Sequence, residues 1–170
     1  MRRTGIVTAI ALLLGPALLP VPAHAVQRLM DVRQVSSDTI RDVALVTVVK
    51  GRPTIYYNPV LLDRVGPELA TFFITHEYGH IHHGHSGGAL VHDAKLGELR
   101  VRQELDADCY AAEHLGESEP EVVNAALEFF LRMGPNRFDA YHPTGSQRAA
   151  RILSCMPGHR TRMSSAPTFP

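Results

Sequence analysis

Two β-branched segments precede several longer amphipathic segments in this chain. Residues 43–49 read Val-Ala-Leu-Val-Thr-Val-Val, and residues 54–57 read Thr-Ile-Tyr-Tyr. Between them, residues 50–53 read Lys-Gly-Arg-Pro, a composition typical of a turn. The pattern predicts a β-hairpin, alone or within a small sheet. Residues 26–41 are mixed in character, and for them we expect a short helix or a connecting arm that could cover a cleft.

Four helices are predicted after the hairpin, over approximately residues 67–83, 98–115, 118–134 and 144–154. Pro67 suits the first turn of a helix, and Gly84 suits the end of the same helix. Ser118 and Thr144 each begin a capping-box pattern, so we expect a helix to start at each. Together with the hairpin, these helices indicate an α+β fold that is mostly helical, with a small hairpin or sheet before the first long helix.

Residues 1–25 have the composition of a secretory signal peptide. Two arginines follow the initial methionine, an apolar run covers residues 6–19, and residues 23–25 form a small-x-small cleavage site. The run is short and interrupted by glycine and proline, although a retained membrane anchor is the alternative. We expect export through the inner membrane to the periplasm or the exterior, one domain over residues 26–155, and a flexible tail over residues 156–170.

Composition narrows the possible classes of function. Without its first 25 residues the chain keeps 145 residues, enough for one compact core, with 15 Lys and Arg against 17 Asp and Glu. This near balance gives no support for binding nucleic acid or an anionic membrane surface. No later apolar stretch is long enough to span a bilayer. In an oxidising compartment, the even pair Cys109 and Cys155 favours a disulfide over two small buried thiols.

The pentapeptide His-Glu-Tyr-Gly-His at residues 76–80 is the most specific chemical signal in the chain. On a helix, His76 and His80 lie on one face, so both imidazoles can point at one metal ion. Glu77 is rotated aside, where it can reach an activated water molecule and act as a general base. The same pentapeptide also occurs by chance in helices that bind no metal, so its interpretation depends on the surrounding residues.

A catalytic zinc site needs a third protein ligand and one open position. A metzincin would have glycine three residues, and histidine six residues, after the second histidine of the pentapeptide. This chain has His83 and Ser86 at those positions, so the metzincin pattern is excluded. Glu104 and Asp108 lie one turn apart on the second predicted helix. One can bind the metal while the other accepts a hydrogen bond from a ligand histidine. The alternative is a solvated acidic face, but neighbouring alanines indicate that this side of the helix faces inward.

Further histidines are open to two interpretations. His142 precedes a proline at the entry of the fourth predicted helix, which by itself is typical of an ordinary loop residue. His83 continues the buried stripe of the first predicted helix. The histidines that cluster beyond the pentapeptide are His82, His83, His85 and His92. They could form a second metal site or a pH-sensitive loop, but a solvated helix end and loop is the simpler interpretation.

In combination, the motifs resemble those of the HtpX/CAAX-prenyl-endopeptidase family of gluzincin metallopeptidases. HExxH is followed by Glu-x-x-Ala-Asp at residues 104–108, and then by His-Pro with an arginine six residues after the histidine. Gly79 and His85 also match the extended first motif of the family. The resemblance covers about residues 56–152. Many members carry transmembrane helices, so this chain resembles a minimal soluble version.

The resemblance implies a zincin-like domain with one Zn²⁺ per chain. The residues that would bind the zinc are His76, His80 and Glu104. The residues that would act around it are Glu77 as catalytic base, Asp108 as partner of a ligand, and His142 and Arg148 as lining residues, with His142 able to touch the substrate.

Three functions are compatible with these residues. The first is a zinc metalloendopeptidase acting on a peptide or protein, in which an extended substrate could pair with an exposed strand over residues 54–57. The second is a non-catalytic, zinc-stabilised binding module that uses the same cleft to hold a partner. Glu77 argues against that module, because a structural site needs no general base, and a closed site would need a fourth ligand such as His142 or His83. The third is a zinc hydrolase acting on a non-peptide amide.

Overall fold

The computed structural model describes residues 32–85 and 94–158. The predicted signal peptide, His92 and most of the predicted C-terminal tail lie outside these residues. The strands are β1 (Arg33–Ser36), β2 (Ala44–Val49) and β3 (Arg52–Tyr57). The helices are α1 (Pro59–Val65), α2 (Pro67–His82), α3 (Ala94–Leu115), α4 (Pro120–Met133) and α5 (Gly145–Cys155). The expected α+β fold, mostly helical with its small sheet before the first long helix, is confirmed.

The predicted hairpin is formed by β2 and β3, which pair antiparallel. Their connection is shorter than predicted, because it consists of Lys50 and Gly51 alone. Both residues have positive φ angles, 51° and 78°, as a two-residue turn that matches the twist of the strands requires. Arg52 and Pro53, which the sequence pattern assigned to the turn, are the first two residues of β3.

The expectation for residues 26–41 was wrong over the part that the structure describes. Arg33–Ser36 form the strand β1, which pairs in parallel with β3, so the order in the sheet is β1-β3-β2. Both edges of β3 are therefore occupied. This contradicts the predicted pairing of a substrate with residues 54–57, because that strand has no free edge. A four-residue strand with mostly exposed side chains carries little pattern of its own and depends on its neighbour.

Helix starts agree with the sequence patterns only in part. Asn58, which the pattern placed at the end of a strand, also caps α1, since its Oδ1 accepts hydrogen bonds from two backbone N–H groups at 3.0 and 3.2 Å. The capping box predicted at Ser118 is absent, because α4 has Glu119 at its N-cap without a side-chain bond. The capping box predicted at Thr144 is present at the start of α5, with Gln147 as its partner.

Helix α2 lies between the sheet and the other long helices. Its Ile81 packs with Ile55 and Ala44 of the sheet. Phe72 and Phe73 face the opposite side, in the larger core. The members of that core from later helices are mainly aliphatic and aromatic residues of α3, α4 and α5, including Ala111, Ala112, Val123, Phe130 and Ile152. This sandwich fixes the orientation of the helix that carries the pentapeptide.

Small residues let α2 and α3 approach each other closely. A Cβ atom on Gly79 would lie 2.9 Å from Cα and 3.0 Å from the carbonyl oxygen of Ala107, distances that the two backbones could not accommodate without shifting. Ala107 and Ala111 are themselves fully buried. The contact turns Glu104 and Asp108 of α3 towards α2.

A disulfide joins α3 to α5 through Cys109 and Cys155, and it confirms the predicted pair. Covalent linkage of these helices holds together the segments that carry Asp108 and Arg148. A disulfide is typical of proteins outside reducing compartments, which agrees with an extracytoplasmic location. Within residues 32–85 and 94–158, none of the helices has the length and apolar character needed to cross a bilayer.

Candidate metal centre

Three side chains from α2 and α3 converge on one point. His76 and His80 lie one turn apart on α2, and their Nε2 atoms are 3.1 Å from each other. Glu104 of α3 faces both, with one carboxylate oxygen 3.2 Å from Nε2 of His76 and the other 3.3 Å from Nε2 of His80. The structure therefore brings together the three residues that the sequence motifs nominate as metal ligands.

The spacing of these atoms suits a tetrahedral zinc ion. Imidazole nitrogen and carboxylate oxygen bind zinc at about 2.0–2.2 Å, so two ligand atoms of a tetrahedral site are about 3.3 Å apart. The two nitrogens are 3.1 Å apart, and each lies 3.2 or 3.3 Å from a different carboxylate oxygen of Glu104, which are distances of that size. Among the described residues, the other group with metal-binding side chains contains Cys109 and Cys155, whose sulfur atoms are already joined in the disulfide.

A buried ion pair of Asp108 and Arg148 supports His76 at Nδ1, the ring nitrogen that faces away from the ligand cluster. Asp108 accepts a hydrogen bond from His76 Nδ1 at 2.9 Å through Oδ1. Its carboxylate also accepts from Arg148, whose Nε lies 2.8 Å from Oδ2 and whose Nη2 contacts Oδ1. The guanidinium in turn lies 4.1 Å over the ring of Phe130. Because Asp108 binds Nδ1, the Nε2 atom of His76 is directed at the ligand cluster.

Charges within the cluster shift its titration strongly. Burial disfavours a charged His76, but hydrogen bonds to Asp108 and Glu104 outweigh burial and raise the pKa of His76 to about 10. Burial would raise the pKa of Glu104, yet the two histidines bonded to it hold that pKa well below its usual range. In the metal-free protein the proton on His76 therefore supplies the positive charge that balances the two carboxylates. A bound metal ion would supply that charge instead. Metal binding would release that proton.

Glu77 is a buried carboxyl group of a different kind. It is only 8 % exposed, and within residues 32–85 and 94–158 no hydrogen bond to its carboxylate is present. Burial raises the pKa of Glu77, although the neighbouring charges of His76 and His80 oppose the shift. Buried polar groups are normally hydrogen-bonded, so an unsatisfied carboxyl group beside possible metal ligands makes Glu77 a candidate functional residue.

His142 lies at the rim of the cluster, in the loop before α5. Its Nε2 is 3.8 Å from Glu104, and its Nδ1 is bound to Asp139 at 2.8 Å. The same carboxylate oxygen accepts hydrogen bonds from the backbone N–H groups of Tyr141 and His142, which fixes the loop. Sequence reasoning missed Asp139. The available signal was its position three residues before a histidine in a loop, where a carboxylate can reach both the backbone and the ring.

The histidines beyond the pentapeptide occupy two different environments. His82 and His83 are exposed, so the predicted place of His83 on the buried stripe is wrong. His83 stacks on His85, and Nδ1 of His85 lies 3.3 Å from Nδ1 of His80. No second group of metal-binding side chains forms around them within the described ranges, and His92 lies outside those ranges. The contact of His85 with His80 was not predicted, although His85 had been noted as part of the extended motif.

Comparisons of the chain with protein-family models, with curated proteins and with solved structures found no match.

Proposed function

We propose that this chain is an exported zinc metalloendopeptidase of the gluzincin type, related to the HtpX/CAAX-prenyl-endopeptidase family, with His76, His80 and Glu104 as the ligands of one zinc ion. The observation that carries the proposal is Glu77, a buried carboxyl group without a hydrogen-bond partner among the described residues, directly beside the three converging ligand atoms. A protein that only stores or uses metal for structure gains nothing from such a group, which is costly to bury.

In the proposed mechanism, Glu77 is the general base. When bound, zinc supplies Lewis-acid activation of a water molecule and of the peptide carbonyl. Glu77 accepts the proton as water attacks the carbonyl carbon, and it then passes that proton to the leaving nitrogen. The raised pKa of Glu77, caused mainly by burial, suits a group that must both take and return a proton near neutral pH.

His142 is proposed to bind the oxygen on which negative charge develops. Its Nδ1 donates to Asp139 and its Nε2 faces the metal cluster, so Nε2 can donate to that oxygen when the ring carries a proton on both nitrogens. A well-placed donor of this kind lowers an activation barrier by about 3 kcal/mol. Asp108 and Arg148 take no part in the chemistry in this proposal, and they hold the ring of His76 in the orientation that a ligand needs.

The alternative of a closed structural zinc site receives less support from the same geometry. A closed site would use four protein ligands. Neither His142 nor His83 joins the compact group of ligand atoms formed by the two histidines and Glu104. A fourth coordination position would thus remain for water and substrate, as in catalytic zinc sites.

The outer edge of β2 is the proposed binding surface for an extended substrate. It replaces the interior strand β3 considered from the sequence, because β2 is an edge strand and, of the strands, makes the most extensive contact with α2. Besides burial, the charge of Asp42, just before β2, helps to raise the pKa of Glu77. Strand addition would supply backbone hydrogen bonds and leave the substrate side chains to determine specificity.

The proposal is tested by digesting a peptide library with the zinc-loaded protein lacking residues 1–25, beside its Glu77→Gln variant. Bound zinc is quantified in both proteins. We expect cleavage by the unsubstituted protein alone, a loss of about 10³-fold or more in the variant, and equal zinc in both. Equal zinc with no cleavage by either protein would contradict the peptidase and favour the binding module. Absence of zinc from both would contradict the metal site itself.

Export to the periplasm or the exterior is part of the proposal, and it rests on the signal-peptide pattern of residues 1–25 together with the disulfide. N-terminal sequencing of the protein after expression in a bacterium is expected to find Val26 as the first residue. A chain that keeps its first residues and stays with the membrane would contradict this part of the proposal.

A further inference from the structure

We infer that His85 is a positioning residue for the zinc ligand His80, an inference that rests on the zinc site proposed above. The Nδ1 atoms of the two rings are 3.3 Å apart, while Nε2 of His80 faces the other ligand atoms. A ring that binds metal through Nε2 carries its proton on Nδ1, so His80 donates and His85 accepts. His85 must then carry its own proton on Nε2.

The end of α2 is built to bring His85 back to this ring. The helix ends in a turn in which the backbone N–H of His85 donates to the carbonyl oxygen of His80 at 2.8 Å and that of Gly84 donates to Ile81 at 3.1 Å. These two bonds form the Schellman motif, in which the residue after the helix cap is left-handed. Gly84 provides that conformation with a φ of 72°. The reversal places the His85 side chain over the last turn of the helix, where His80 is.

Neighbouring rings restrict the movement of His85. His83 stacks on it, with ring centroids 5.3 Å apart and an angle of 20° between the planes. His83 also meets Tyr110 of α3 edge to face. A ring held between His80 and His83 loses little further freedom when it accepts the hydrogen bond. His85 itself is not one of the converging ligand atoms, so its contribution to metal binding acts through His80.

The test is the zinc dissociation constant, measured by competition with a chromophoric chelator and without any substrate. We expect His85→Ala to weaken zinc binding by about tenfold, the lower end of what removal of such partners of metal ligands costs. His85→Asn is expected to restore most of the affinity, because the asparagine carbonyl oxygen can occupy the place of Nδ1 and accept the same bond. Far-UV circular dichroism of each variant checks that the helices remain.

His82→Ala is the matched control, since His82 is an exposed imidazole on the same helix end and, among the described residues, packs on Tyr110 rather than on a proposed ligand. Its zinc affinity should stay within about twofold of the unsubstituted protein. If His85→Ala binds zinc as tightly as this control, or if His85→Asn is as weak as His85→Ala, the inference is overturned. A protein that binds zinc but cleaves no peptide contradicts the peptidase proposal, whereas the role of His85 can still be judged from the zinc affinities. A protein that binds no zinc overturns both.

Discussion

The two histidines that α2 presents to the metal centre are one helical turn apart, yet they are supported in opposite ways. His76 is held by Asp108, which is fully buried and ion-paired with Arg148 of another helix. His80 is held by the neutral ring of His85, five residues along the same chain at a partly exposed helix end. The first support depends on the packing of α2, α3 and α5, whereas the second is local.

This contrast indicates which part of the site is held rigidly by the fold and which part can change conformation. A charged pair removed from water is strong only while every partner stays in place, since an uncompensated buried charge is costly. A hydrogen bond between two imidazoles near solvent can be replaced by water at small cost to the stability of the fold. The His76 side should therefore control both the stability of the fold and metal binding, and the His80 side should control metal binding alone.

The largest expected effect follows from removal of the buried carboxylate. Asp108→Ala leaves Arg148 charged and unpaired in the interior and deprives His76 of its partner. We expect a loss of about 3–5 kcal/mol in the free energy of unfolding, measured by denaturant unfolding, together with weakened zinc binding. Glu128→Ala is the control, because it breaks the exposed pair with Arg132 and should change stability by less than about 1 kcal/mol. Equal effects of the two substitutions would contradict the division.

An intermediate effect concerns the dependence of stability on pH in the metal-free protein. Because the pKa of Asp108 is lowered in the folded state, where the Arg148 charge outweighs burial, its contribution is present above the unfolded pKa of 3.8 and lost as pH falls below it. The pKa of His76 is raised to about 10, so its contribution is full below 6.5 and lost as pH rises from 6.5 to 10.

Zinc should remove the alkaline part of this profile, because a metal-bound His76 carries no proton to lose. Thermal unfolding from pH 5 to pH 10, with chelator and with zinc, provides the measurement. We expect the melting temperature of the chelated protein to fall relative to the zinc-loaded protein's as pH rises through this range. Parallel curves for the two forms would show that His76 does not hold the proton that the metal displaces.

The elements and ligands on regular helices were the ones that could be predicted from the sequence. Helices α2 and α3 were predicted because apolar and small residues recur at helical spacing, and the pentapeptide and the i, i+4 acids nominated the ligands. Glu104 and Asp108 share one face of α3, so spacing alone could not assign their contacts. The structure assigns them, since Glu104 meets the Nε2 atoms and Asp108 meets Nδ1 of His76.

Elements without a periodic pattern were the ones that the sequence did not reveal. The strand β1 is four residues long and exists through its pairing with β3, and α1 is capped by Asn58, which had been assigned only to the end of a strand. Among the residues of the site, Asp139 was missed, and so was the contact of His85 with His80. Both residues act from segments outside helices, where spacing along the chain does not report which side chains meet.

The smallest expected effect concerns the pair Asp139 and His142, which is the exposed counterpart of Asp108 and His76. Each carboxylate binds the Nδ1 atom of a histidine, at 2.8 and 2.9 Å, but Asp139 is half exposed and has no arginine partner in the described residues. Asp139→Asn should therefore leave the free energy of unfolding within about 0.5 kcal/mol of the original value. It should lower kcat by about tenfold, because His142 is held less well towards the reacting carbonyl.

Bound zinc and KM should change little in Asp139→Asn, since His142 is not one of the converging ligands. His142→Ala provides the comparison, and combining it with Asp139→Asn should add no further loss in kcat, because Asp139 acts through the ring that has been removed. Additive losses would mean that Asp139 contributes independently, through the loop backbone that it also binds. A large loss of stability in Asp139→Asn would instead show that a solvent-facing carboxylate can support the fold as strongly as the buried one. The contrast between the buried pair of Asp108 with His76 and the exposed pair of Asp139 with His142 would then fail.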